Sequence, residues 1–193
     1  MVAGKQLSLV KRAGAADPEI LAMVAGGDVS ALGVLYDRYA SDVRRVLVRL
    51  GVTERDLDDL VQESFLEVVR CAKNHDGRAS AKPWLIGLAV NQVRRHRRSL
   101  GVILRNLSAF AREPSPPSSS PEEDLAGARA AHDAKRALDQ LSSKKREVFA
   151  LVVLEGMSGE EAARVLGIPV ATVWTRLHHA RRELRAALER QES

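Results

Sequence analysis

The chain has 193 residues and a formal net charge of +5; 45% of its residues are hydrophobic and only 4% are aromatic. This length allows one domain or two small ones, and the single cysteine, Cys71, excludes an intrachain disulfide and a cysteine-based metal site. The basic excess favours a polyanionic partner such as nucleic acid or an anionic membrane. Most of the hydrophobic residues are Leu, Val and Ala, which favours helices over strands.

Composition along the chain predicts two domains. The segment "REPSPPSSSPEED" at residues 112–124 replaces the apolar pattern with Pro and Ser, as is typical of an extended linker. We therefore expect a mobile tail over 1–14, a domain over 15–100, a linker over 101–123 and a second domain over 124–193. No apolar run resembles a signal peptide or approaches the roughly 20 residues of a membrane span, so a cytoplasmic protein without membrane insertion is expected.

Two helices are predicted at the start of the first domain. The stretch "DPEILAMVAGG" predicts a short helix with Asp17 as N-cap, Pro18 in the first turn, and Gly26 and Gly27 at its end. A long helix follows until Gly51. Its apolar positions recur at helical spacing and are expected in the core: Val29, Leu32, Leu35, Tyr36, Tyr39, Val43, Val46, Leu47 and Leu50.

Two further helices complete the first domain. Thr53 is expected to cap the third helix, which "KNHDGRAS" ends. Its inward positions are Leu57, Leu60, Val61, Phe65, Val68 and Val69. The fourth helix runs from about Lys82 to Leu100 and becomes steadily more basic.

The second domain begins with two predicted helices. The stretch from Leu125 to Leu141 is Ala-rich and helical in pattern, and a second helix spans Ser143 to Glu155. Its apolar positions are Val148, Leu151, Val152 and Leu154, and Gly156 ends it. Because no segment of the chain alternates with period two, both domains are predicted to be all-helical.

A helix-turn-helix pattern closes the chain. Ser158 and Glu161 form a capping box, the short helix that they begin ends at Gly167, and Pro169 opens a longer helix. The buried stripe predicted for that helix is Val170, Val173, Leu177, Ala180, Leu184 and Leu188.

The other face of the last helix suits the major groove of DNA. This face carries Thr172, Thr175, Arg176, His179 and Arg182. Thr can contact phosphates or a thymine methyl, and Arg can pair with guanine or bind a phosphate. The alternative is the solvated face of an ordinary helical hairpin. Trp174 fits either packing at the core edge or a surface contact. Neighbouring His178 and His179 point about 100° apart, so we expect no metal site there.

An acidic face is predicted on the third helix. In "DLDDLVQESF", Asp56, Asp59, Gln62 and Glu63 share one side above Leu60 and Phe65. This face either is simply solvated or docks on a basic partner surface.

A basic run ends the fourth helix in "WLIGLAVNQVRRHRRSL". The run is Arg94, Arg95, His96, Arg97 and Arg98. Four arginines in five residues exceed what a helix C-terminus needs, which favours phosphate binding over stabilisation of the helix dipole alone. The preceding loop adds polar groups able to hold an unstacked base: Asn74, His75, Arg78, Ser80 and Lys82.

Three stretches together resemble the extracytoplasmic-function sigma factors, the two-domain class of bacterial RNA polymerase specificity subunits. They are "DLVQESFLEVVR", "PWLIGLAVNQVRRHRR" and "MSGEEAARVLGIPVATVWTRLHHARREL", and the resemblance spans about residues 20–188. It implies that 15–100 is sigma region two and 124–193 is region four. The linker would then thread through the polymerase.

The resemblance also implies roles for particular residues. The polymerase largest-subunit clamp would bind Asp56, Asp59, Leu60, Gln62 and Glu63. The minus-10 element would bind Asn74, His75, Arg78, Ser80, Lys82, Trp84, Asn91, Arg94, Arg95 and Arg98. The minus-35 element would bind Ala171, Thr172, Trp174, Thr175, Arg176 and His179, while earlier helices of region four hold the polymerase flap. Members of the family are commonly inhibited by an anti-sigma partner.

Three positions depart from the family pattern. Many members have Trp at the position of Val69, Asp at that of Arg95, and Lys or Arg at that of Trp174. The Trp174 departure puts the details of minus-35 contact in question.

Enzymatic chemistry is not indicated. The sequence shows no nucleophile with a base, no Gly-rich phosphate loop and no metal-ligand cluster, so we expect neither an enzyme nor a cofactor. The main alternative is a helix-turn-helix regulator that is not a polymerase subunit, which would need an N-terminal sensor with strands. A helical adaptor that binds only proteins is a weaker alternative, because the arginine run argues against it.

Overall fold

Helices form every regular element in the part of the chain that the structure describes. The computed structural model describes residues 14–75, 77, 79–108 and 135–192. The elements are α1 Asp17–Ala25, α2 Val29–Arg49, α3 Glu54–Cys71, a 3₁₀ turn Ala72–Asn74, α4 Lys82–Ser108, α5 residues 135–140, α6 Ser143–Phe149, a π-helical segment Ala150–Leu154, α7 Gly159–Leu166 and α8 Val170–Glu192. The predicted all-helical fold is confirmed.

The N-terminal bundle, α1–α4, is built on aliphatic side chains at helical spacing. Helices α2, α3 and α4 pack against one another, and α1 lies on α2. The fully buried side chains include Leu35, Leu47, Leu57, Leu85 and Ile86. Each such side chain contributes about 1.5–3 kcal/mol when removed from water.

Three predicted core positions are wrong. Val29 is 78% exposed, Tyr36 is 42% exposed and Val69 is 48% exposed. Tyr36 directly follows buried Leu35, and Val69 directly follows buried Val68. Consecutive helical residues point about 100° apart, so only one member of each pair can face the core.

Asp17 does not cap α1, contrary to expectation. The N-cap is Ala16, and Asp17 is the first helical residue, with its side chain buried. Its carboxylate accepts hydrogen bonds from the Arg38 guanidinium, the Tyr39 hydroxyl and, at 2.7 Å, the Ala81 N–H. Asp17 therefore joins α1 to α2 and to the residue that precedes α4.

These contacts set the charge state of Asp17. Burial alone would raise the pKa of its carboxyl, but the hydrogen bonds from Tyr39, Ala81 and Arg38 outweigh burial and hold the pKa below its ordinary value. Because the pKa of this carboxyl is lower in the folded chain than in the unfolded chain, its ionised form stabilises the fold. That stabilisation is fully present above the pKa of the unfolded chain and is lost as the pH falls through the pKa of the folded chain.

Asp17→Asn is expected to lower the free energy of unfolding by about 1–3 kcal/mol at neutral pH, because buried donors lose a charged acceptor. Urea unfolding at pH values from about 7 to about 2 checks this, since the difference from the native chain must shrink as the acid side is approached. A stability difference that does not change with pH would contradict the assignment.

Helix α4 is longer than predicted. It continues past Leu100 to Ser108, so the first residues of the predicted linker are helical. The stretch "GVILRNLS" contains no proline, and a single glycine costs a helix only about 1 kcal/mol. Residues 109–123 lie outside the described part of the chain. Of the helix predicted from Leu125 to Leu141, only 135–140 is described, and it is helical.

The C-terminal bundle, α5–α8, contains the predicted helix-turn-helix. The capping box of Ser158 and Glu161 is present, and Gly167 ends α7 in the left-handed conformation at φ 65°. The helix predicted over Ser143 to Glu155 changes to a π-helical winding at Ala150. Of the four apolar positions predicted in this helix, Val148 and Leu151 are buried, and Val152 and Leu154 are half-buried.

Candidate nucleic-acid interface

Three of the side chains predicted on the acidic face of α3 are exposed. Asp59, Gln62 and Glu63 all face solvent along one side of the helix. Leu60 is only 2% exposed, so its predicted direct contact with a partner is wrong: it supports the face from below. Sequence reasoning missed Leu66, which is 57% exposed and follows Glu63 by three positions and Gln62 by four.

Asp56 differs from these three because its carboxylate has partners within the bundle. The Thr53 hydroxyl donates to its carboxylate at 2.6 Å, and His96 Nε2 lies 3.5 Å from it. Thr53 occupies the N-cap position as predicted, but its hydroxyl bonds to Asp56 and not to a backbone N–H. Asp56 therefore ties the start of α3 to the basic helix.

The loop before α4 gathers the predicted base-binding groups. The His75 ring meets the edge of Trp84 with centroids 5.3 Å apart, and His75 Nδ1 accepts from the Gly77 N–H at 3.1 Å. Ser80 accepts from the Lys82 N–H at 3.3 Å. The remaining predicted members are distributed as follows: Asn74 and Asn91 are exposed, Lys82 pairs with Asp42 at 3.1 Å, and Arg78 lies outside the described residues.

Two arginines of the basic run face outward. Arg95 is exposed and lies 3.5 Å from Glu67 of α3, and Arg98 is exposed with its Nε donating to the Arg94 carbonyl at 3.2 Å. They are the accessible part of the predicted cationic surface.

The other two arginines of the run point into the protein. Arg94 donates to the Glu147 carboxylate of the C-terminal bundle, with Nη2 at 2.7 Å, and to the Leu166 carbonyl at 3.2 Å. Arg97 donates to the Leu50 carbonyl, and burial lowers the pKa of its guanidinium. In this arrangement Arg94, a predicted minus-10 residue, is not available to DNA.

The first half of α8 presents the predicted groove-reading face. Ala171 and Thr175 are exposed, and Thr172, Arg176 and His179 are half-exposed. The opposite stripe buries Val173, Leu177 and Ala180, whereas Val170 and Leu184 are half-buried. Leu188 was predicted in this stripe but is exposed, because α8 extends there beyond the helices that cover its first half. The helix therefore buries one stripe and presents polar groups on the rest of its surface.

Trp174 both packs and remains accessible. The ring is 49% exposed, and it rests on Gly159 at the start of α7. A Cβ at Gly159 would lie 2.5 Å from Cζ2 and 2.9 Å from Cε2 of the indole. Trp174 therefore packs at the edge of the core while half of its ring stays accessible, and the local sequence pattern does not predict its site on Gly159.

Gly159→Ala is expected to destabilise the C-terminal bundle by about 1–3 kcal/mol, because the added methyl group overlaps the indole. In a Trp174→Ala background the same change should cost almost nothing. Thermal unfolding of the four chains of this double-mutant cycle measures the coupling. Gly33→Ala is the matched control, since nothing lies within 4 Å of a Cβ there. An equal cost of Gly159→Ala with and without Trp174 would refute the contact.

A cavity of about 350 Å³ lies where α4 meets α7. Ser80, Trp84 and Asn91 line it on one side, and Glu161 and Arg164 line it on the other. Predicted minus-10 residues therefore face the helix-turn-helix directly. The described residues contain no group of three His, Cys, Asp or Glu side chains that could hold a metal, and no helix among them is long and apolar enough to cross a membrane.

Two family models match the chain. Residues 35–102 match "Sigma-70 region 2" and residues 132–184 match "Sigma-70, region 4". The chain is 30% identical over 186 residues to the RNA polymerase sigma factor CnrH of Cupriavidus metallidurans, a match that covers 90% of this chain and 95% of the relative. It is 31% identical to the ECF RNA polymerase sigma factor SigE of Mycolicibacterium smegmatis, over 88% of this chain and 67% of the relative.

Solved structures show the same fold. CnrH in complex with the cytosolic domain of CnrY aligns with a TM-score of 0.64 and 28% identity, over 91% of this chain and 98% of that one. The sigma factor RpoE of Bartonella quintana, in complex with the anti-sigma factor NepR, aligns with a TM-score of 0.67 and 23% identity, over 83% of this chain and 98% of that one.

Proposed function

The chain belongs to the sigma-70 family and to its extracytoplasmic-function class, and from this we propose that it binds core RNA polymerase, recognises minus-10 and minus-35 promoter elements, helps to melt the promoter and initiates transcription of a specific set of genes. Members of this family are DNA-binding initiation factors without enzymatic activity, so the chain is not an enzyme. We further propose that it acts in the cytoplasm.

Core polymerase binds the acidic face of α3 in this proposal. Among the described residues, no hydrogen bond or ion pair engages the exposed side chains of Asp59, Gln62 and Glu63, which leaves the two carboxylates available to a basic surface on the largest-subunit clamp. Exposed Leu66 adds an apolar contact on the same side. Region four binds the flap, and an apolar groove of about 530 Å³, lined by residues such as Phe149 and Leu184, supports that role.

The minus-10 element binds the α4 surface and the loop before it. Arg95 and Arg98 contact phosphates, while Trp84, with the His75 ring against it, offers an aromatic surface for an unstacked base. Removing a base from the duplex costs a few kcal/mol, which stacking at about 1–3 kcal/mol per base and phosphate contacts can offset.

The minus-35 element binds the first half of α8. Thr175 lies opposite the buried stripe, and half-exposed Thr172 and Arg176 lie on one side of it, so the three form an accessible surface of the kind that a recognition helix presents to the major groove. Ala171, Trp174 and His179 flank them and complete the proposed contact surface.

An anti-sigma protein is a further proposed partner. Its support is that the related CnrH has been solved in complex with the cytosolic domain of CnrY.

The observation that carries the proposal is the presence of both family regions on one chain, each with an exposed polar surface suited to DNA. The test is run-off transcription with purified chain, core polymerase and a library of promoter fragments. We expect initiation at specific sites only when the chain is present. Specific DNA binding without polymerase, together with no stimulation of core enzyme, would favour a helix-turn-helix regulator instead.

A further inference from the structure

The most exposed face of the recognition helix is largely apolar. Between residues 170 and 180 of α8, the exposed side chains are Ala171, Trp174, Thr175 and His178. Because successive helical residues are turned by about 100°, these four lie within one arc of about 100°. We call this arc the outer face. The half-exposed Arg176 lies about 160° around the helix from Trp174, so it contacts different groups in a groove.

Trp174 gives the outer face a fixed hydrocarbon surface. Its ring is 49% exposed and rests on Gly159 of α7. The indole atoms nearest to the position of a Cβ on that glycine are Cζ2 at 2.5 Å, Cε2 at 2.9 Å and Nε1 at 3.3 Å. The nitrogen side of the ring therefore lies against α7, and ring carbons supply the exposed area. A side chain already held in place loses little conformational entropy when it binds.

Thr175 and Ala171 extend the same surface. The Thr175 hydroxyl donates to the Ala171 carbonyl at 3.0 Å, so its hydrogen is used within the helix. The methyl group of Thr175 is then the part of this side chain that can make an apolar contact. The side chain of Ala171 is itself a methyl group, so three neighbouring positions of the outer face present hydrocarbon.

One base suits such a surface in the major groove. Thymine alone carries a methyl group there, whereas guanine presents two acceptors, N7 and O6, and cytosine presents an amino donor. Hydrocarbon placed against those polar groups would leave them without hydrogen-bond partners, which is costly. Hydrocarbon placed against a thymine methyl removes both surfaces from water, which is favourable.

We propose that the outer face reads thymine through its methyl group, with one methyl of the minus-35 element packed between the Trp174 ring and the Thr175 methyl. The inference rests on the proposed sigma function and adds to it the chemical feature that α8 recognises. It requires a thymine on one strand of the minus-35 element. The polar contacts of Arg176 act beside this apolar contact.

Deoxyuridine tests this readout because it pairs as thymine does and lacks only the methyl group. The template is the fragment that the native chain and core polymerase transcribe best in the promoter library, with each minus-35 thymine replaced in turn. Run-off transcription by the native chain should fall roughly four-fold at the contacted thymine, as expected for one buried methyl group. Trp174→Ala should transcribe the thymine and deoxyuridine templates almost equally.

Controls separate the contact from loss of folding. Circular dichroism and co-purification with core polymerase should show that Trp174→Ala is folded and still associates with the enzyme. Val48→Ala also shortens an exposed apolar side chain, 45% exposed on α2, and should keep the native ratio of thymine to deoxyuridine transcription. If Trp174→Ala loses polymerase association, the ring binds the polymerase and the proposal is overturned.

Two substitutions at Thr175 distinguish its methyl group from its hydroxyl. Thr175→Ser removes the methyl group and keeps the hydroxyl, whereas Thr175→Val keeps a methyl group and removes the hydroxyl. We expect the ratio of thymine to deoxyuridine transcription to fall about two-fold more in Thr175→Ser than in Thr175→Val, since only the first loses apolar contact. The reverse order would show that Thr175 acts through its hydroxyl.

Each remaining outcome has a separate meaning. Equal transcription of the two templates by the native chain, or a best-transcribed minus-35 element without thymine on either strand, would overturn methyl readout. An equal loss on deoxyuridine templates in Trp174→Ala and the native chain would assign the effect to DNA shape and overturn the role of Trp174. A native chain that stimulates core polymerase on no fragment would instead refute the sigma function.

Discussion

Asp59→Arg with Glu63→Arg is expected to abolish association with core RNA polymerase while both bundles remain folded. Both side chains are exposed, so the substitutions remove no buried contact. They change an acidic face into a basic one, and like charges brought together at an interface cost several kcal/mol. Co-purification of the variant with core polymerase measures the loss, and circular dichroism confirms the fold.

The control must change the charge by the same amount elsewhere. Asp37→Arg with Glu160→Arg reverses two exposed acidic side chains, one in each bundle and neither on the α3 face. We expect it to co-purify with polymerase as the native chain does. Unchanged co-purification of the Asp59 and Glu63 variant would contradict clamp binding by α3.

Arg176→Ala is expected to reduce transcription by about 10-fold to 100-fold at promoters that depend on the minus-35 element, while polymerase binding is retained. Arg176 is half-exposed in the first half of α8, beside the stripe that buries Val173 and Leu177. One bidentate contact to a base contributes about 1–3 kcal/mol of discrimination. Run-off transcription on templates with intact and scrambled minus-35 sequences measures the effect.

Arg190→Ala is the matched control for Arg176. It removes the same charge from the same helix near its far end, where Arg190 is exposed and lies 3.5 Å from Gln140. We expect it to transcribe both templates as the native chain does. If Arg176→Ala loses equal activity on both templates, it does not read the groove.

Local patterns in the sequence were enough to predict the helices and the recognition motif. The apolar spacing of α3, the capping box of Ser158 and Glu161, and the left-handed end at Gly167 depend on neighbours within a few residues. Periodicity also separated the buried and polar faces of α8. Periodicity does not decide which of two adjacent apolar residues faces the core, so it wrongly predicts Tyr36 and Val69 as core residues.

Contacts between distant residues could not be predicted in this way. Arg94 and Glu147 are 53 positions apart, and Asp17 meets Ala81 across 64 positions. Nothing in the local pattern around Arg94 distinguishes it from exposed Arg95 and Arg98. The sequence therefore predicts a cationic surface but not which of its arginines face solvent and which bond within the protein.

In the proposed function, one chain brings polymerase to two promoter elements at the same time. Footprinting of a single promoter with the chain and core polymerase tests it most directly, with permanganate reporting unpaired thymines. We predict two protected patches about 25 base pairs apart on the same DNA, with reactive thymines in the downstream patch, and neither signal with core polymerase alone. A single protected patch without unpaired thymines, or the same footprint from the chain in the absence of polymerase, would contradict the account.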